Sequence, residues 1–144
     1  ALERVAAEAE GRVSVHVADV TDAAALGAAV RAAGDLDLVV ANAGVLLGAG
    51  PLWEADESAW WHGFEVNVRG AALTLRAALP RMLERGSGRV VVMASGIGTA
   101  PSPWDTSYGA GKAAVLQLCS SVQLELAGTG VGGGGHRSDD GLLL

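Results

Sequence analysis

Apolar residues along the chain change their spacing several times, and each change marks an element. Residues 1–9 (ALERVAAEA) carry helical spacing and are closed by Gly11. Val13, Val15 and Val17 then alternate as in a strand, ending at Ala18-Asp19-Val20. Thr21-Asp22 supplies a cap for an alanine-rich helix expected to run to about Ala33, where Gly34 stops it. Leu36 to Ala41 (LDLVVA) is nearly all apolar, as expected of a strand covered on both faces. A glycine-rich loop, Asn42 to Gly50, follows. From Asp56 helical spacing continues to Arg85, with Pro80 expected to kink or interrupt its last turns. Gly86-Ser87-Gly88 breaks the pattern, and Arg89 to Ala94 (RVVVMA) reads as a third strand. After a loop holding Pro101 and Pro103, a helix starting at Thr106 or Ser107 is expected to reach about Ala127. Strands alternating with helices predict an α/β fold around a parallel sheet. Residues 1–127 make up this regular part. Gly128 to Leu144, with four consecutive glycines and no period, predicts a disordered tail. A change of reading frame after Val131 would account for it.

Composition narrows the function classes. The 144 residues suffice for one domain with a real core, and half of them are hydrophobic. A net charge of −6 argues against nucleic acid or an anionic membrane as partner. No apolar run approaches the roughly 20 residues needed to span a bilayer, and no signal peptide opens the chain, so a cytoplasmic location is expected. Cys119 is the only cysteine and falls in an apolar helical pattern, which makes it a core residue rather than a nucleophile. No metal site is expected. The chain opens on Ala1 partway into a helical pattern, so a fragment is expected.

Candidate chemistry gathers at the strand ends. In open parallel sheets, ligands bind beyond the carboxyl ends of the strands. Asp19 and Val20 follow the first strand, Asn42-Ala43-Gly44 the second, and Ser95 the third. Tyr108 is the only tyrosine and Lys112 the only lysine, every other basic side chain being arginine. Residues four apart share one helix face. An ammonium beside a phenol favours the phenolate, which otherwise forms only near ~10, and so makes a tyrosine useful as a general acid/base.

Together these residues resemble the short-chain dehydrogenase/reductase family in its single-domain branch. Asn42 to Val45 (N-A-G-V) resembles the family's N-N-A-G element, with Ala41 in place of the first Asn. Asn67 in N-V-R-G is similar to the active-site asparagine of the family's helix. Ser95 precedes Tyr108 by thirteen residues, the usual spacing, and Lys112 completes Y-x-x-x-K. The resemblance implies an incomplete Rossmann-like, doubly wound parallel sheet and an NAD- or NADP-dependent oxidoreductase interconverting a carbonyl and a secondary alcohol. It implies Tyr108 as proton donor or acceptor, Lys112 as the group that tunes Tyr108 and bonds the nicotinamide ribose, and Ser95 as holder of the substrate oxygen. Asn67 would anchor a water relaying protons from Lys112; mid-helix Asn also often marks a backbone irregularity. Asp19 and Val20 would border the adenine, while Asn42, Ala43 and Gly44 let the backbone approach the cofactor. A homodimer or homotetramer is implied, with Val115, Leu116, Leu118 and Cys119 offering apolar surface for it.

Two family parts have no counterpart here, the T-G-x-x-x-G-x-G cofactor loop and the sixth strand with its P-G turn. In strand order 3-2-1-4-5 the first strand of this chain would be separated from the second by two others. An inactive truncated or frameshifted product, or a non-catalytic cofactor-binding relative, is the alternative reading. His16 and His62 read as structural, and Trp104 and Trp53 as loop residues that could line a substrate pocket.

Overall fold

The computed structural model describes residues 4, 7–9, 12–132 and 142–143. Residues 4, 7 and 8 are helical, and the rest of the helix expected over residues 1–9 lies outside the described residues. Helix α1 (Ala23–Ala33) begins where Asp22 accepts the amides of Ala24 and Ala25 at 2.9 and 3.0 Å and ends at Gly34, whose φ is 79°. Strand β1 (Leu38–Ala41) and strand β2 (Arg89–Val92) pair in parallel, from Leu38 opposite Arg89 to Ala41 opposite Val92. The crossover between them holds α2 (Glu57–Phe64), a π-helical turn (Glu65–Arg69) and α3 (Gly70–Arg85). A 3-10 turn (Gly96–Gly98) and the twenty-residue helix α4 (Thr106–Glu125) follow β2.

The outer side of β2 is also occupied. Val131 pairs in parallel with Gly88, and β3 (Leu142–Leu143) pairs in parallel with Val90 and Val91. These residues belong to the segment expected to be without structure. Residues 133–141 and 144, the remainder of that expectation, lie outside the described residues.

One apolar seam joins the layers. Ala71, Leu75, Ala78 and Met82 recur every three or four residues along α3 and are buried against Val90 and Val92 of β2, with Val115 and Cys119 of α4. Val115 and Cys119, expected to serve a subunit contact, are spent in the chain's own core, and burial pushes the Cys119 thiol up to about 11. That agrees with a packing role.

Two expectations need correction. Residues 13–19 pair in no strand, although Val13, Val15 and Val17 alternate as a strand would. A strand exists only with a hydrogen-bonded neighbour, and none stands beside this segment among the described residues. Val13 and Val17 are instead 43% and 90% exposed. Pro80 does not interrupt α3, since it lies on the exposed face of a helix that runs on to Arg85.

Candidate active site

The carboxyl ends of β1 and β2 open into a pocket of about 360 Å³ lined by Asn42, Gly44, Val45, Leu46, Met93, Ala94, Tyr108 and Lys112. Two buried polar side chains form its rear wall. Asn67 is 2% exposed and sits inside the π-helical turn, the backbone irregularity expected of it. Its Oδ1 accepts the Val45 amide at 2.9 Å and its Nδ2 donates to the Val45 carbonyl at 2.8 Å. One side chain thereby fixes the loop that continues from Asn42-Ala43-Gly44.

Lys112 is 4% exposed and donates from Nζ to the Met93 carbonyl at 2.6 Å. Loss of water around the ammonium holds its pKa below the ordinary lysine value. The same Nζ lies 5.6 Å from the centroid of the Tyr108 ring, as the i, i+4 spacing on α4 requires. Gly44 faces both polar groups. A Cβ there would come within 3.1 Å of Asn67 Oδ1 and 3.7 Å of Lys112 Nζ, so the backbone lies bare against them.

Helix α4 is held to α2 by polar contacts of its first turn. Ser107 donates to the Trp60 carbonyl at 2.6 Å, and the Trp60 indole donates to Thr106 at 2.9 Å. Gly63 makes room, because a Cβ there would meet Ser107 Oγ at 3.2 Å. Just upstream, Trp104 has φ 65° while its carbonyl accepts the Gly50 amide at 2.7 Å. A bulky residue in that left-handed region carries strain on the order of 1–3 kcal/mol.

The sequence-predicted residues divide into two groups. Asn67, Tyr108, Lys112, Asn42 and Gly44 converge on the pocket wall. Ser95 follows Met93 and Ala94, which line the pocket, and leads into the 3-10 turn without lining the pocket itself. Asp19, Val20 and Ala43 also stand outside its lining. Asp19 is turned onto Thr21, whose amide and hydroxyl each donate to it at 2.8 Å and hold its carboxyl below the usual carboxylate value. Val20 packs on Gly70, where a Cβ would meet it at 2.8 Å. Sequence reasoning missed Leu46 and Met93 as lining residues; their neighbours in N-A-G-V and before Ser95 were the only signal. Among the described residues no group of three or more His, Cys, Asp or Glu could hold a metal, and no helix is long and apolar enough to cross a membrane.

Parallel strands joined by helical crossovers, with a pocket at their carboxyl ends, define a Rossmann-like α/β protein. The chain belongs to the short chain dehydrogenase family, whose model matches residues 1–132. It is 40% identical over 132 residues to an uncharacterized NAD-dependent oxidoreductase of Mycobacterium tuberculosis, covering 88% of this chain and 48% of that protein. It is 38% identical over 134 residues to the 2-keto-3-deoxy-L-fuconate dehydrogenase of Xanthomonas campestris, covering 91% of this chain and 43% of that one. The solved structure of an NAD+-bound xylitol dehydrogenase superposes with a TM-score of 0.80 at 30% identity, over 89% of this chain and 52% of its own. The chain spans from about a third to about half the length of the first curated relatives it matches.

Proposed function

We propose that the protein carrying this chain is a nicotinamide-dependent oxidoreductase that interconverts a carbonyl and a secondary alcohol, with Tyr108 as general acid/base. The observation that carries the reading is the wall of the pocket. A dehydrated Lys112 ammonium lies 5.6 Å from the Tyr108 ring, both lining a pocket at the carboxyl ends of β1 and β2. Burying a lysine is costly, and a core apolar residue would serve packing better.

The residues present fit the nicotinamide end of such a cofactor. Gly44 leaves the backbone open beside Asn67 and Lys112, and Lys112 spends one of its three N–H donors on Met93, leaving two for a ribose. When bound, the cofactor supplies or takes up the hydride. NAD-dependent naming among the relatives supports a nicotinamide cofactor and does not choose between NAD and NADP for this chain. In reduction, Tyr108 gives its hydroxyl proton to the substrate oxygen; in oxidation, it takes that proton back. Lys112 holds the ribose and passes protons toward Tyr108. Ser95, at the end of β2, donates to the substrate oxygen as charge develops there. Asn67 acts through Val45, which makes it a positioning residue, and a water held beside it completes the proton path from Lys112. Asp19 and Val20 border the adenine, and Asn42, Ala43 and Gly44 face the cofactor through backbone. Assembly as a homodimer or homotetramer belongs to the same reading, and Trp61 at 57% exposure and Leu124 at 80% supply apolar surface for it.

Tyr108→Phe tests the assignment in the full-length protein. Turnover should fall by about 10²–10⁴-fold while the cofactor dissociation constant changes less than about twofold. Turnover within threefold of wild type would remove Tyr108 from the chemistry.

A further inference from the structure

Trp104 is the only non-glycine residue with positive φ among the described residues, at 65°, and its side chain is 61% exposed. The fold gains little from holding a large side chain in a strained backbone when most of it faces water. Its surroundings give that placement a use. The Trp104 carbonyl accepts the Gly50 amide at 2.7 Å, and four residues before Gly50 stands Leu46, which lines the Tyr108 pocket. Four residues after Trp104 stands Tyr108 itself. Trp104 is thus tied on both sides to walls of one pocket.

The tether is firm. Gly48 passes beneath α2 so closely that a Cβ would lie 2.7 Å from Trp60 Cα, and Leu47 Cβ lies 3.3 Å from the Cβ position of Gly63. The pocket wall between these points is apolar. Leu46 and Met93 are 53% and 44% exposed, and Lys112 and Tyr108 are its only ionisable side chains.

We propose that Trp104 is a specificity-determining residue of the Tyr108 pocket, and that it takes the flat, uncharged aryl or cyclic substituent of a ketone or secondary alcohol. This rests on the carbonyl chemistry assigned to Tyr108 above. The indole offers a broad, weakly hydrated face for stacking a ring, and the left-handed backbone fixes that face at the pocket's edge. A substrate bearing a carboxylate or phosphate would find one cation, Lys112, already directed at Met93 and the ribose.

Two variants separate the side chain from its backbone. Trp104→Gly keeps the left-handed conformation without strain and deletes the indole, whereas Trp104→Phe keeps an aromatic face. In the full-length protein, supplied with NADH and NADPH in turn, 1-indanone and 2-butanone are compared as substrates. The preference for 1-indanone, as a ratio of kcat/KM values, should fall about tenfold or more in Trp104→Gly, mainly through KM. In Trp104→Phe it should fall less than about threefold. A ratio within twofold of wild type in Trp104→Gly, in a protein whose circular dichroism is unchanged, overturns the proposal. If wild type reduces neither ketone, the carbonyl reading of Tyr108 fails, and Trp104 is judged by binding alone. Quenching of tryptophan emission by 1-indanone should then saturate in wild type and lose most of its amplitude in Trp104→Phe. Equal quenching in the two proteins overturns the assignment.

Discussion

Two stretches of this chain look equally regular as sequence and differ completely as structure. The segment Val13 to Val20 alternates valines as a strand should, yet residues 13–19 stand unpaired among the described residues, with Val17 90% exposed. The wall around Asn67 and Lys112 looked like two polar residues on helices, and both are nearly fully buried. The difference lies in where each finds its partners. Asn67 and Lys112 satisfy their polar atoms on Val45 and Met93, which the two paired strands and the π-helical turn bring within reach. A strand depends on a neighbour's backbone, and period alone cannot say whether one is present. The catalytic wall is therefore self-sufficient within the described residues, and the first segment is not.

The comparison is attacked most directly at Asn67. Asn67→Ala removes both bonds to Val45 and leaves its amide and carbonyl without those partners. A loss of roughly 2–4 kcal/mol of unfolding free energy is expected, since each such group costs about 1–3. Denaturant unfolding that places the variant within half a kcal/mol of wild type would mean the wall is not held as described.

Two glycines then set the halves against each other at equal distance. A Cβ at Gly98 would lie 2.8 Å from the Lys112 carbonyl carbon and 3.0 Å from the Ala113 nitrogen, both backbone of α4. A Cβ at Gly70 would also meet its nearest atom at 2.8 Å, but that atom is the Val20 side-chain methyl Cγ2. Gly98→Ala should cost about 1–3 kcal/mol, because a packed helix cannot step aside. Gly70→Ala should stay within about 1 kcal/mol of wild type, because Val20 can yield and alanine favours a helix by a similar amount. Equal losses in parallel melts would show that Val20 is held as firmly as α4.

Lys112 adds a pH signature. Burial lowers its folded-state pKa, while the unfolded chain titrates near the ordinary ~10.4. Between those two values the unfolded state binds more protons, so stability rises with pH there and falls as pH drops through the folded value. Below the folded value the penalty is constant. Wild type measured against Lys112→Met should therefore lose ground as pH falls through that window and then level off. A pH-independent difference between the two would mean that the ammonium is hydrated.

Much of this architecture was legible beforehand. Asp22, Gly34, Asp56 and Gly86 cap or close the helices they were expected to bound, because caps act through local backbone chemistry. The pairing of Tyr108 with Lys112 was legible for the same reason, since a helix fixes its i, i+4 geometry. What stayed hidden depended on contacts distant in sequence. The double bond from Asn67 to Val45, the Met93 carbonyl beneath Lys112 and the tie from Gly50 to Trp104 each link separate elements. No local pattern encodes them. Ser95 marks the limit on the other side, because its spacing to Tyr108 is right and yet it does not line the pocket.

The smallest expected effect falls on Val17, and it decides what the first segment is. Val17→Ser changes a side chain that is 90% exposed in a stretch without regular structure. In this chain alone the change should stay within about 0.5 kcal/mol, as surface substitutions do. The strand-like alternation of Val13, Val15 and Val17 gives a second arm to the experiment. If these valines enter a sheet in the full-length protein, the same substitution there should cost more than about 1 kcal/mol, since half-buried strand positions reject a small polar side chain by that amount. Chemical denaturation of both proteins measures the two values side by side. Equal, near-zero losses would mean that the alternation is coincidental and that Val13 to Val20 serves only to carry Asp19 and Val20 to the foot of α3.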